Sequence, residues 1–148
     1  KDCNAMVLEL KSKLERKDFD TAQQYLRISD YKAAINAYEN FIKDHPGSIY
    51  RKEAYFGRLE AAYKLAENSV SYLVKERLEA AQRHYESFLK NYGDSDKRGA
   101  AEELLLKIKR QLLQLERIRL HECHTTYMLH QIMIMMINGK RKKSCVVF

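Results

Sequence analysis

The sequence contains a single proline and five glycines in 148 residues, so it has few of the residues that end helices and form tight turns. Alanine, leucine, lysine, glutamate and glutamine are frequent instead, and these residues favour α-helix. The composition therefore argues against a turn-rich β fold and predicts an all-α protein. The length suits one compact domain or a short stack of repeats, and it is too short for a typical multidomain enzyme.

Cysteines, long apolar runs and catalytic motifs are also scarce. Cys3, Cys123 and Cys145 form no CxxC pair, and this odd, scattered set is not a disulfide framework. The longest apolar run, IMIMMI at 132–137, is far shorter than the roughly 18 residues that span a bilayer. The sequence has no GxSxG, glycine-rich phosphate loop or HExxH motif. We therefore expect no enzymatic activity, no catalytic residue, no cofactor and no metal site.

The formal net charge of +7 is unevenly distributed. From Arg117 onward there are six basic residues and one acid, so this segment carries +5 of the total. The preceding residues carry only about +2, with lysine and glutamate interleaved as on a solvated helix surface. This distribution argues against a nucleic-acid partner.

Apolar residues recur at helical spacing in five segments. The spacing predicts helices over residues 6–28, 31–43, 50–65, 75–91 and 97–120. Ser29 or Asp30 is suited to cap the second helix, and Pro46 with Gly47 ends it. The apolar stripe of the first helix consists of Val7, Leu10, Leu14, Ala22 and Tyr25.

One segment is nearly repeated along the chain. YKAAINAYENFIKDHPGS, residues 31–48, returns 47 residues later as LEAAQRHYESFLKNYGDS, with seven identities. The first copy fits the tetratricopeptide pattern, although Asp18 and Thr21 stand where large apolar residues are usual. We therefore predict a tetratricopeptide-like α-solenoid of antiparallel helix pairs over residues 1–120. The residues predicted to pack between its helices are Tyr25, Tyr31, Ala34, Tyr38, Phe41, Pro46, Ala81, Tyr85 and Phe88.

The spacing of the two copies is unusual, because tetratricopeptide repeats usually return after about 34 residues. The excess predicts longer first helices and an insertion around Ala66 to Glu76. HPGSIYRKEA followed by a long helix ending in YKLAENS, together with KERLEAAQRHYESFLKNYGDS, resembles the C-terminal half of the BamD family. The resemblance covers about residues 3–115 and is closest to the forms found in Bacteroidetes.

The BamD resemblance implies a function as well as a fold. BamD proteins are lipoproteins of the outer-membrane β-barrel assembly machine, so the chain is expected to be a non-enzymatic scaffold on the periplasmic side of the bacterial outer membrane. Its implied partners are other barrel-assembly subunits and unfolded outer-membrane proteins. The resemblance also implies further repeats and a lipidated cysteine upstream of Lys1; Cys3 lies within a helical pattern and is not assigned that role.

The concave face of a helical repeat usually contacts the partner. If Lys52 opens the second repeat, Phe56, Glu60 and Tyr63 lie on that face. These three residues are the predicted partner-binding residues. An alternative function with the same arrangement is another bacterial tetratricopeptide adaptor, such as a periplasmic coordinator of envelope synthesis. A further alternative, a prenylated membrane-associated eukaryotic adaptor, depends only on KRKK and CVVF at the end of the sequence.

Residues 121–148 form an atypical tail, because the interleaving of lysine and glutamate that marks the preceding helices ends there. HECH at 121–124 with His130 supplies imidazoles at helical spacing but no complete zinc ligand set. KRKKSCVVF has the form of a prenylation box on Cys145, which motivates the eukaryotic alternative. We predict that this tail is disordered or not native to the family, as a frame-shifted or readthrough extension would be.

Overall fold

A computed structural model describes the backbone of residues 3–143, and the side chains of this range apart from residues 122–124 and 137–143. Within this range the chain forms five α-helices and no β-strand. The helices are α1 (Cys3–Arg27), α2 (Tyr31–Asp44), α3 (Arg51–Glu67), α4 (Ser71–Tyr92) and α5 (Arg98–Lys143). The predicted all-α class is confirmed.

The connection between α3 and α4 is shorter than the sequence pattern indicates. α3 ends at Glu67 and α4 begins at Ser71, so the extra residues predicted around Ala66 to Glu76 are mostly helical. The polar residues here cap α3: the Asn68 amide donates to the Lys64 carbonyl at 2.8 Å, and the Ser69 hydroxyl donates to the Leu65 carbonyl. The segment that contains α3 and α4 is therefore lengthened largely by additional helix at the start of α4.

The last helix also differs from its predicted extent. α5 continues to Lys143, whereas the pattern predicts an end near residue 120. Residues 121–138 contain no proline or glycine, and their leucine, methionine and glutamine residues are good helix formers. Whether residues 121–148 belong to the native repeat fold stays a prediction, and the prenylation box at Cys145 lies outside the described residues.

The chain divides into a unit that ends at Arg110 and a unit that begins at Gln111. In the first unit α1 packs on α2, α2 on α3 and α3 on α4, and α1 also contacts α3. This order is compatible with a helical repeat. In the described part of the second unit, which is helical, large apolar side chains such as Leu120, Leu129 and Met135 are exposed. None of the described helices combines the length and apolar character that a membrane span requires.

Aromatic rings from successive helices form the core of the first unit. Phe19 of α1 lies with its ring centroid 6.2 Å from Tyr38 and 5.7 Å from Phe41 of α2. Phe88 of α4 contacts Phe56 of α3 at 6.2 Å. Between the rings, alanines with no exposed surface let the helix backbones approach closely. These alanines are Ala22, Ala34, Ala54, Ala61, Ala66, Ala81 and Ala101.

The nine predicted packing residues differ in burial. The buried ones are Ala34, Tyr38, Phe41, Ala81, Tyr85 and Phe88. Tyr25 and Tyr31 are half-buried, and Pro46 is exposed in the turn that follows α2. Proline has no backbone N–H, so Pro46 can end the helix without being part of the core.

α1 contributes to the core only through its second half. Phe19 and Ala22 are buried, whereas Val7, Leu10 and Leu14 of the predicted stripe are about half to two-thirds exposed, at 48%, 63% and 52% respectively. Phe19, which the tetratricopeptide pattern does not single out, supplies the large apolar side chain that Asp18 and Thr21 lack. Asp18 instead faces His45, with Oδ2 and Nε2 3.0 Å apart.

A polar network joins α2, α3 and α4 on the side of α3 that faces α4. The Arg58 guanidinium lies 3.6 Å from the Glu39 carboxylate, donates to the Ser87 hydroxyl at 3.2 Å and stacks over the Tyr55 ring at 5.1 Å. The Arg58 side chain is only 11% exposed, and burial lowers its pKa although the Glu39 carboxylate offsets part of the desolvation of its charge. His84 of α4 is half-buried beside the network, and burial together with the Arg58 charge lowers its pKa to about 4.

The turn between α1 and α2 uses both residues that the sequence pattern selects, in different ways. Ser29 has a φ of 64°, and the Asp30 N–H donates to the Tyr25 carbonyl while the Ser29 N–H donates to the Leu26 carbonyl. These two bonds define a Schellman motif, which favours glycine at the left-handed position. Asp30 caps α2, because its carboxylate accepts a hydrogen bond from the Ala33 N–H at 3.1 Å.

We expect Ser29→Gly to stabilise the protein by about 0.5 to 1 kcal/mol, because glycine adopts the left-handed conformation without the strain of a Cβ. Urea unfolding followed by circular dichroism measures the change. Ser71→Gly is the matched control, since Ser71 opens α4 in a helical conformation where glycine is unfavourable. Destabilisation by both substitutions would contradict the strain at Ser29.

Candidate binding groove

Two neighbouring cavities lie along one face of α3, within the first unit. The first opens between α1 and α3, and the second between α3 and the start of α5. Phe56 and Glu60 line both, so the cavities form one groove. The first cavity is further lined by Phe19, Gln23, Leu26, Arg27, Tyr38, Glu53, Gly57 and Lys97. The second is further lined by Tyr63, Lys64, Glu67, Ala100, Glu103, Leu104 and Lys107.

The three predicted partner-binding residues all line this groove. Phe56, Glu60 and Tyr63 recur at intervals of four and three residues on α3, which places them on one helix face. Phe56 and Glu60 are half-buried, and Tyr63 is buried. Their role in contacting a partner stays a prediction. The Phe56 ring makes an edge-to-face contact with Phe88 of α4, a helix that does not line the groove. This contact holds the Phe56 ring in place, so the surface that it presents to the groove is preordered.

The charges around the first cavity are unequally paired. Glu60 lies 2.9 Å from the Lys64 ammonium, and Glu53 lies 3.7 Å from that of Lys52. Arg27 and Lys97 form no ion pair with any described residue, and Lys97 instead lies 5.1 Å above the Phe56 ring. Both acids of this cavity therefore have a cation within ion-pair distance, whereas its two cations have no acid among the described residues at that distance. The pKa of Asp96 is lowered by its hydrogen bond with Lys52 and also by the charge of Lys97, so Lys97 acts on an acid outside the cavity lining.

Tyr38 brings a polar atom to the floor of the first cavity. The residue is only 2% exposed, and its hydroxyl lies where a Cβ on Gly57 would be 2.6 Å away. Burial, together with the nearby Glu60 carboxylate, raises the pKa of Tyr38 to about 12. The hydroxyl therefore stays protonated at physiological pH. It forms no hydrogen bond with the part of the chain that the structure describes, and it is available as a donor.

The size of the cavities suits side chains better than a cofactor. Their volumes are about 290 and 390 Å³, at the small end of the about 300 to 1,000 Å³ of small-molecule sites, and both are open to solvent. Among the residues whose side chains are described, no three histidine, cysteine or acidic residues cluster as metal ligands do. The side chains of Cys123 and His124 in HECH lie outside the described residues. The cavity sizes are therefore compatible with side chains of a bound polypeptide segment.

Sequence reasoning missed the polar side of the first cavity. Tyr38 is predicted only as a packing residue, and Arg27 and Lys97 are not singled out. Helical periodicity places Tyr38 in the core but does not show where its hydroxyl emerges. Arg27 and Lys97 are 70 residues apart in the sequence, so only the tertiary fold reveals that they line the same cavity.

A scan against protein-family models finds no match to this chain, and a search of the curated proteins finds none either.

Proposed function

We propose that this protein is a non-enzymatic scaffold that binds a segment of a partner protein in the groove along α3. The observation that carries the proposal is the joining of the two cavities through Phe56 and Glu60, which creates a continuous surface with apolar and charged side chains. Its apolar side chains suit anchor residues of a partner, and its charged side chains suit selection of the partner.

The architecture that supports this role is a short α-solenoid. In this proposal α1 with α2 and α3 with α4 are two stacked antiparallel pairs, and the start of α5 opens the next. The groove then lies on the face formed by the first helices of successive pairs. Because buried rings and alanines hold these helices in place, binding orders few additional groups, which favours affinity.

The resemblance to BamD supplies the identity of the proposed partners. They are subunits of the outer-membrane β-barrel assembly machinery, with unfolded barrel proteins as a further class, at the periplasmic face of the outer membrane. Membrane association would come from a lipid anchor upstream of this chain. The other tetratricopeptide adaptor functions predict different partners for the same groove.

Site-specific photo-crosslinking in the native cells tests this function. Glu103 is exposed and lines the second cavity, so p-benzoylphenylalanine in its place is expected to crosslink a barrel-assembly subunit, identified by mass spectrometry. Tyr72 on α4, which is 80% exposed and lines neither groove cavity, is the matched control position.

The crosslinking outcomes separate the two parts of the proposal. Equal crosslinking from positions 103 and 72 would overturn the groove as the binding surface. Strong crosslinking from position 103 to proteins outside the barrel-assembly machinery would keep the groove and overturn the assigned partner.

A further inference from the structure

The first cavity is lined by three groups that can each donate a hydrogen bond to an anion. The Tyr38 hydroxyl is a hydrogen-bond donor without a partner among the described residues, and Arg27 and Lys97 are cations that have no acid within ion-pair distance in the same range. All three favour an oxygen-bearing anion. Tyr38 is the strongest indicator, since its ring is fixed in the core while the residue lines the cavity and its hydroxyl has no hydrogen-bond partner among the described residues.

We propose that the first cavity receives an aspartate or glutamate side chain of the bound partner segment, with its carboxylate accepting a hydrogen bond from Tyr38 and pairing with Arg27 and Lys97. This inference rests on the proposed function and adds the chemistry of the segment that the groove selects. Charge-assisted hydrogen bonds to a carboxylate are among the strongest polar contacts in proteins.

A cationic side chain of the partner is less well matched to this cavity. Glu53 and Glu60 would be its acceptors, but Glu60 already lies 2.9 Å from Lys64 and Glu53 lies 3.7 Å from Lys52, which also pairs with Asp96 at 2.7 Å. A lysine or arginine in the cavity would also lie close to Arg27 and Lys97. A phosphate group is also less well matched than a carboxylate, because its charge of about −2 would be repelled more strongly by Glu53 and Glu60 than a single negative charge is.

The apolar part of the cavity indicates what accompanies the acid. Phe19, Leu26 and Phe56 line the same space, and Lys97 is held over the Phe56 ring by a cation–π contact. A partner carboxylate would approach Lys97 at the edge of an apolar surface. We therefore expect an apolar residue next to the acidic residue in the partner segment.

A displayed library of random 12-residue peptides, selected on the purified full chain, is the probe. Enriched peptides are expected to contain an aspartate or glutamate beside an apolar residue. Replacing that acid by its amide is expected to weaken binding about tenfold or more, as measured by fluorescence anisotropy. Arg27→Gln and Tyr38→Phe are each expected to weaken binding of the acidic peptide about tenfold, and Lys97→Met about threefold. None of the three substitutions is expected to weaken binding of the amide peptide.

Matched variants show that these losses come from the cavity. Arg83→Gln and Lys90→Met change exposed residues of α4, which does not line the groove, and are expected to leave the affinity unchanged. In Arg27→Glu, a peptide with lysine in place of its acid is expected to bind better than the original peptide. Such a change of preference from the acidic to the lysine peptide would identify a direct contact with residue 27, because loss of folding would weaken the binding of both peptides.

Each other outcome overturns a defined statement. Some peptides could block crosslinking of the partner from position 103 and yet bind equally well when their acid is replaced by its amide. That result would overturn the acidic-side-chain inference and keep the groove as the binding surface. A requirement for a free peptide C-terminus, or for a phosphoryl group, would overturn it in favour of that anion. Failure of every peptide to bind would overturn both this inference and the binding role of the groove.

Discussion

Gly57→Ala is expected to destabilise the protein by about 2 kcal/mol or more, because the added methyl group has no space. A Cβ at this position would lie 2.5 Å from Tyr38 Cζ, 2.6 Å from its hydroxyl oxygen and 2.9 Å from Cε2. The Tyr38 ring is 2% exposed and lies against Phe19, so it cannot swing away freely. The clash outweighs the gain of about 1 kcal/mol that alanine normally brings within a helix. Urea unfolding measures the change.

The same substitution at Gly99 is the matched control. Gly99 lies in α5 with no heavy atom within 4 Å of the position of an added Cβ, so alanine there is expected to be neutral or stabilising by about 0.5 kcal/mol. Gly57→Ala should cost less in a Tyr38→Leu background, which removes the three clashing atoms. Similar effects of Gly57→Ala and Gly99→Ala would contradict the close approach of α2 and α3.

Acidification from pH 6.5 to pH 4 is expected to destabilise the protein by about 2 kcal/mol through His84, which is less than the whole pKa shift would give because solvent screens the half-buried ring. Its pKa is lowered to about 4 in the folded protein and has the ordinary value of 6.5 in the unfolded chain. Between these values the unfolded chain binds a proton that the folded protein does not, so stability falls as the pH falls. The physical cause is burial of the ring, followed by its position beside Arg58, where protonation would add a second cation. Chemical denaturation at successive pH values measures the loss.

His84→Gln separates this contribution from other titrating groups. The variant is expected to lose about 2 kcal/mol less than the original chain over the same pH range, because glutamine does not titrate. His121→Gln is the control, since His121 is exposed on α5 and should leave the pH dependence unchanged. Equal slopes for the His84→Gln variant and the original chain would show that His84 is not shielded in the fold.

The connection between α3 and α4 shows why sequence periodicity misplaced a boundary. Asn68, Ser69 and Ser71 look like loop residues, since such side chains compete for backbone hydrogen bonds. In the structure Asn68 and Ser69 cap the carboxyl end of α3, and Arg77 of α4 donates to Ser69. A contact from the following helix thus compacts a turn whose polar composition by itself suggests a longer insertion.

The candidate site was foreseen only in part, for a related reason. Phe56, Glu60 and Tyr63 lie on one face of a single helix, so their shared surface follows from helical spacing. The first cavity combines Arg27 of α1, Tyr38 of α2 and Lys97 before α5. No spacing rule relates residues on three separate segments. Their convergence depends on how far each helix is rotated about its own axis when it packs.

The amino-acid sequence alone determines the helical class of this protein and the approximate positions of its first four helices. It also determines the spacing of the alanine and aromatic residues through which these helices pack. These properties depend on neighbours within one or two helical turns, which are visible along the chain. The tertiary structure decides that Phe19 enters the core while the apolar start of α1 stays exposed. It also decides that Gly57 admits the Tyr38 ring, and that the hydroxyl of a packing residue reaches a cavity lined by two cations. Those outcomes depend on distances between helices, because whether a side chain is buried or available is set by what packs against it.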